Sequence, residues 1–89
     1  MLEEFEYAQE MEDDVENKQF QNEEMAIYFP KKTIRKCDFK TCKCMNSNFS
    51  HSSFFDVTFI NCDFSNTDFS DCSFTDVVFQ DCKLIGCKF

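Results

Sequence analysis

The chain has 89 residues, seventeen acidic and nine basic side chains, and a net charge of −8. That length allows one domain with a modest core, and no apolar run approaches the ~18 residues of a membrane-spanning helix. One Gly rules out a glycine-rich phosphate loop, and one His leaves little material for acid–base chemistry.

The chain opens MLEEFEYAQEMEDD, which is acidic and lacks the basic start and apolar core of a secretory signal. The cytoplasm is therefore the expected location. Leu2, Phe5, Ala8, Met11 and Val15 recur every three or four residues. That spacing describes either a weak amphipathic helix over 2–16 or an acidic disordered leader. Such a helix would lay its apolar stripe on the first coil of whatever follows.

Residues 17–36 read as an irregular first coil or N-terminal cap. Ile34 and Phe29 continue a five-residue spacing backwards from Phe39, whereas Phe20 and Met25 lie one step out of phase. Lys32 interrupts the pattern and Pro30 follows Phe29, as tolerated where no ladder bond is needed. KKTIRK, residues 31–36, is a solvated basic edge or a site for an anionic partner.

From residue 39 the period of five is strict. Positions 39, 44, 49, 54, 59, 64, 69, 74, 79, 84 and 89 are Phe except for Cys44 and Leu84. Two residues earlier stands a small or β-branched residue at every unit, from Cys37 and Cys42 to Cys82 and Cys87. Residues two apart on an extended segment share a face, so a large and a small side chain point inward together. The residue between them is mostly polar, as in Asp38, Lys43, Asn48, Asp63, Asp68 and Lys88. Two residues after each large position from 46 to 86 come Asn46, His51, Asp56, Asn61, Asn66, Asp71, Asp76, Asp81 and Gly86. These are mostly turn formers that tolerate positive φ. A short strand and a corner every five residues make the chain wind into stacked coils.

The units CDFKT, CKCMN, SNFSH, SSFFD, VTFIN, CDFSN, TDFSD, CSFTD, VVFQD, CKLIG and CKF resemble the pentapeptide-repeat family over residues 37–89. Cys44 at a large position, and Lys43, Lys83 and Lys88 where Asp or Asn is usual, depart from its motif. The resemblance implies an all-β fold: a right-handed quadrilateral β-helix of four pentapeptides per coil, about two and two-thirds coils over this segment. Residues twenty apart then stack, giving ladders Phe39–Phe59–Phe79, Phe49–Phe69–Phe89, Phe54–Phe74 and Cys44–Phe64–Leu84. The last coil is expected to be uncapped at Phe89. Either the solenoid continues in a longer protein, the preferred reading, or two copies stack end to end.

No residue is assigned to catalysis, to a cofactor or to a metal, and no partner-binding residue is assigned. His51 falls at a corner. Six of the seven Cys fill the small inward slot and Cys44 a large one, so packing accounts for them, and in-register stacking disfavours a disulfide. A non-enzymatic solenoid that binds a protein partner, or serves a structural role, is the expected function. Phe55, Ile60, Val78 and Ile85 fall at outward or corner positions and support it. The alternative follows from resemblance to Qnr-type quinolone-resistance and microcin-immunity proteins, which implies an acidic mimic of DNA that binds DNA gyrase or topoisomerase IV. Direct nucleic-acid binding and membrane association are not expected.

Overall fold

The computed structural model describes residues 14–24 and 26–89. Every named element is a strand: β1 (Asp14–Glu16), β2 (Gln19–Gln21), β3 (Thr33–Arg35), β4 (Asp38–Lys40), β5 (Ser53–Ile60) and β6 (Ser73–Gln80). All pairing is parallel. β1 lies on β3 and β3 on β5, β2 lies on β4 and β4 on β5, and β6 covers β5. The other two sides are held by single bridges such as Lys43↔Asp63↔Lys83 and Asn48↔Asp68↔Lys88. The result is a β-solenoid.

The corners make it wind. Asn46, His51, Asp56, Asn61, Asn66, Asp71, Asp76, Asp81 and Gly86 all have φ between 53° and 75°. Four such corners separate residues twenty apart. Two of the four corners are closed as type II turns with the positive-φ residue third. The Ser52 N–H donates to Phe49 O at 3.1 Å, and the Thr67 N–H to Phe64 O at 3.1 Å. The corner amides also bond across coils, as Asn61 N–H does to Gln80 O at 2.8 Å. Lys31, Lys36 and Thr41 adopt the same conformation at φ 58°, 51° and 53°. Their side chains do not favour it, so the ladder on either side imposes it.

The core is an aromatic stack. Phe39 lies 5.0 Å from Phe59 and Phe59 4.8 Å from Phe79, each pair within 22° of parallel. Phe49, Phe69 and Phe89 stack at 5.7 and 5.4 Å, and Phe54 stacks on Phe74 at 5.2 Å. Neighbouring ladders meet edge to face, as Phe59 meets Phe64 at 84°, an arrangement favoured by the ring quadrupole.

The small slot does more than fill space. The Ser52 hydroxyl donates to Phe29 O, and Thr67 to Cys44 O. The Cys62, Cys72, Cys82 and Cys87 thiols reach the carbonyls of Phe39, Phe49, Phe59 and Phe64 at 3.0–3.3 Å. Each of these contacts spans 23 residues and ties one coil to the next. Hydroxyls and thiols therefore serve the same purpose here, the thiol as the weaker donor.

At the end of the leader, for which a weak helix or disorder was expected, residues 14–16 are strand. Residues 1–13 lie outside the described residues, but 14–16 form strand β1, and Val15 is buried against Ile34. Parallel pairing with β3 draws these residues into the sheet. Val15↔Ile34 and Phe20↔Phe39 are nineteen residues apart, where later pairs are twenty apart. The missing residue lies between Glu24, which pairs with Lys43, and Tyr28, which pairs with Asn48. That side of the coil has four residues and no described positive-φ corner.

Candidate interaction surface

Below the last coil, the described positions that reach solvent are mainly the residues flanking each large position and the corner. Their columns differ from side to side. One side carries the ladder Lys43–Asp63–Lys83 and the next carries Asn48–Asp68–Lys88. Stacked strands lie ~4.8 Å apart, so opposite charges follow one another up these columns. Asp63 accepts from the Ser65 hydroxyl at 2.6 Å and its N–H at 2.9 Å. Asp68 accepts from the Ser70 hydroxyl and from its N–H at 2.8 Å. These hydroxyl and amide donors, helped by the nearby lysines, hold both carboxyls below the usual Asp range.

The two sides built from β5 and β6 are different. Their outward residues are Ser53, Phe55, Thr58 and Ile60 on β5, and Ser73, Thr75, Val78 and Gln80 on β6. None is charged; the only charges on these strands are the corner residues Asp56 and Asp76. Val78 is half exposed, Ile60 and Phe55 are partly buried, and the Arg35 guanidinium lies 4.8 Å above the Phe55 ring. Phe55 thus stands on one uncharged side and Ile60 and Val78 on the next, with the corner residues Asp56 and Asp76 between them. Ile85, 73% exposed, stands on the charged side instead.

His51 Nε2 lies 3.6 Å from Asp71 Oδ2, but both side chains are more than half exposed at a corner. A shallow groove of about 190 Å³ lies between Lys43, Asp63, Lys83 and Asp81, above Cys42 and Cys62. Cys62 shares its proton with Cys42, which lowers Cys42 and raises Cys62. Both thiols are buried in the ladder, however, and burial pushes Cys44 up to about 12. Reactive cysteines need access and a positive setting. Among the described residues no group of three or more His, Cys, Asp or Glu side chains is arranged to hold a metal, and no helix is long and apolar enough to cross a membrane.

A family model described as "Pentapeptide repeat region" matches residues 32–89. The chain belongs to the pentapeptide-repeat family. Among solved structures, a pentapeptide repeat protein (Rfr23) from the cyanobacterium Cyanothece 51142 aligns with 99% of this chain and 95% of its own, at 6% identity and a TM-score of 0.25. No curated protein matches the chain. Family membership accounts for the corners and the aromatic stack. The sidedness of the outer surface belongs to this pentapeptide-repeat chain's own sequence. It escapes a linear reading, because the columns are assembled from residues twenty apart.

Proposed function

We propose that the chain is a non-catalytic binding module that receives a protein partner on the uncharged surface of β5 and β6. The observation that carries this reading is the segregation of charge. Lys43, Asp63 and Lys83 alternate up one side of the solenoid and Asp68 stacks under Lys88 on the next, while the outward positions of β5 and β6 hold no charge. Depletion of charge at the centre of a patch is the compositional mark of a protein interface. Ile60 and Val78 supply apolar anchors on one side and Phe55 another around the Asp56 corner, and the parallel pairing of β5 with β6 holds them in place.

The DNA-mimic alternative asks for a different charge distribution. Residues 14–89 contain eleven acidic and nine basic side chains, a net charge of −2, so six of the eight net charges lie in residues 1–13. Duplex DNA carries one charge per ~1.7 Å of axis. Two net charges over a stack of coils spaced ~4.8 Å apart fall far short of that density.

The test uses the full chain as bait, with two paired variants. Ile60→Lys with Val78→Lys places charge on the proposed surface, and Lys88→Ala with Asp68→Asn alters the opposite side. A partner identified with the unaltered chain should be retained by the second variant and weakened at least about tenfold by the first, as for loss of interface anchors. Equal binding to the Ile60/Val78 variant refutes the reading. Protection of purified DNA gyrase from a quinolone would favour the mimic instead.

A further inference from the structure

In one column of the small slot, cysteine stacks on cysteine. Cys42, Cys62 and Cys82 are twenty residues apart, and the bridges Lys43↔Asp63↔Lys83 of the residues that follow them fix the register. The backbone holds them there: the Asp63 N–H donates to Cys42 O and the Lys83 N–H to Cys62 O, both at 2.9 Å. Other columns mix residue types, as Cys37–Val57–Val77 and Ser47–Thr67–Cys87 do.

The three thiols share one orientation. Each Sγ lies 3.3–3.4 Å from the carbonyl oxygen two residues earlier, on Lys40, Ile60 and Gln80 in turn. Sulfurs placed alike on stacked coils are separated by the coil spacing, ~4.8 Å. A zinc–thiolate bond is about 2.3 Å, so two thiolates on opposite sides of a metal ion of that size lie about 4.6 Å apart. The fold has thus set its sulfurs at the separation that a linear two-thiolate site requires.

Of the two neighbouring pairs, Cys42 with Cys62 is the better enclosed. These two are 0% and 2% exposed, whereas Cys82 is half-buried. Cys42 and Cys62 also lie under the groove between Lys43, Asp63, Asp81 and Lys83, whose volume of about 190 Å³ admits a small ion from solvent. Soft thiolates select copper(I), zinc or iron–sulfur clusters. Zinc and the clusters take four donors, and no group of three or more His, Cys, Asp or Glu side chains is so arranged among the described residues. A soft monovalent ion is satisfied by two donors in line.

We propose that Cys42 and Cys62 form a two-coordinate site for a soft monovalent cation, copper(I), held between the two sulfurs along the axis of the stack. Binding replaces each S–H bond by an S–Cu bond and releases both protons to solvent, with no change in oxidation state. The ion clips the coil of Cys42 to the coil of Cys62.

The test titrates the reduced full chain with copper(I) against a chromophoric copper(I) chelator, with silver(I) as a second probe that does not cycle between oxidation states. Thiolate-to-metal charge-transfer absorption should saturate at a single equivalent. Cys42→Ser and Cys62→Ser should each lose the ability to compete with the chelator. Serine keeps the coil intact, because the Ser52 hydroxyl already makes the contact to a carbonyl 23 residues earlier that the Cys62 thiol makes; circular dichroism checks this. Cys37→Ser and Cys82→Ser should bind as the unaltered chain does. Urea separates a built site from loose thiols: unfolding should weaken binding at least about tenfold, and the ion should raise the urea midpoint. Affinity unchanged by unfolding, full binding by Cys62→Ser, or loss in Cys82→Ser but not in Cys42→Ser would overturn the proposal.

Discussion

Replacing Phe59 by Ala probes the aromatic stack where it is most enclosed. Phe59 is fully buried, sandwiched between Phe39 at 5.0 Å and Phe79 at 4.8 Å, with Phe64 and Phe54 presented edge to face at 5.1 and 6.0 Å. The coil cannot collapse into the gap, because parallel pairing holds its backbone on both sides, to β4 and to β6. The loss should therefore reach the usual range for such a truncation, about 3–5 kcal/mol. A chain of 89 residues has about 4–13 kcal/mol in total, so this one change removes a large fraction of it. Phe89 provides the internal control. It belongs to a stacked ladder but is 68% exposed, and its removal should cost under about 1 kcal/mol. Urea unfolding followed by circular dichroism reads both. Equal costs for Phe59→Ala and Phe89→Ala, or a Phe59 cost below about 1 kcal/mol, would show that the stack does not carry the stability.

The corners and the outer carboxylates give three further expectations. Thr41 is exposed and β-branched at φ 53°, so Thr41→Asn should stabilise by about 0.5–1 kcal/mol in the same unfolding assay. Gly86 stands at φ 75°, with space for a Cβ only 2.3 Å from Asn66 Oδ1; Gly86→Ala should destabilise by about 1 kcal/mol, measured as a lowered urea midpoint. Asp63 and Asp68 are held below the ordinary carboxyl range by Ser65 and Ser70. Their contribution is therefore present above the unfolded value near ~3.9 and is lost as pH falls through the lower folded value. Acid unfolding should accordingly move to higher pH in Ser65→Ala with Ser70→Ala.

The repeat was legible because its signals agree at three positions per unit. Phe59, its small partner Val57 and the corner Asn61 each point to the same winding, and neighbouring units repeat the message. Upstream the agreement breaks down. Val15 fits a three-and-four spacing with Met11 as well as a five-residue spacing with Phe20, and only pairing with Ile34 decides between them. The shortened side between Glu24 and Tyr28 could be inferred as a slip but not placed, since residues 25–27 include no Asn, Asp or Gly to mark a corner. Lys31, Lys36 and Thr41 were hidden as corners because their side chains carry no preference for positive φ. Tertiary pairing overrides local propensity there. The thiol contacts to carbonyls 23 residues earlier were hidden too, since packing alone already explained a cysteine in the small slot.

Winding with a twenty-residue return is the claim beneath all of this, and ring-to-ring nuclear Overhauser contacts on selectively labelled Phe test it most directly. Contacts should join 39 with 59, 59 with 79, 49 with 69 and 54 with 74, and should join 20 with 39 across the slip. Rings that instead meet in the mirrored order of an antiparallel hairpin, with sequence separations shrinking toward a turn, would contradict the solenoid.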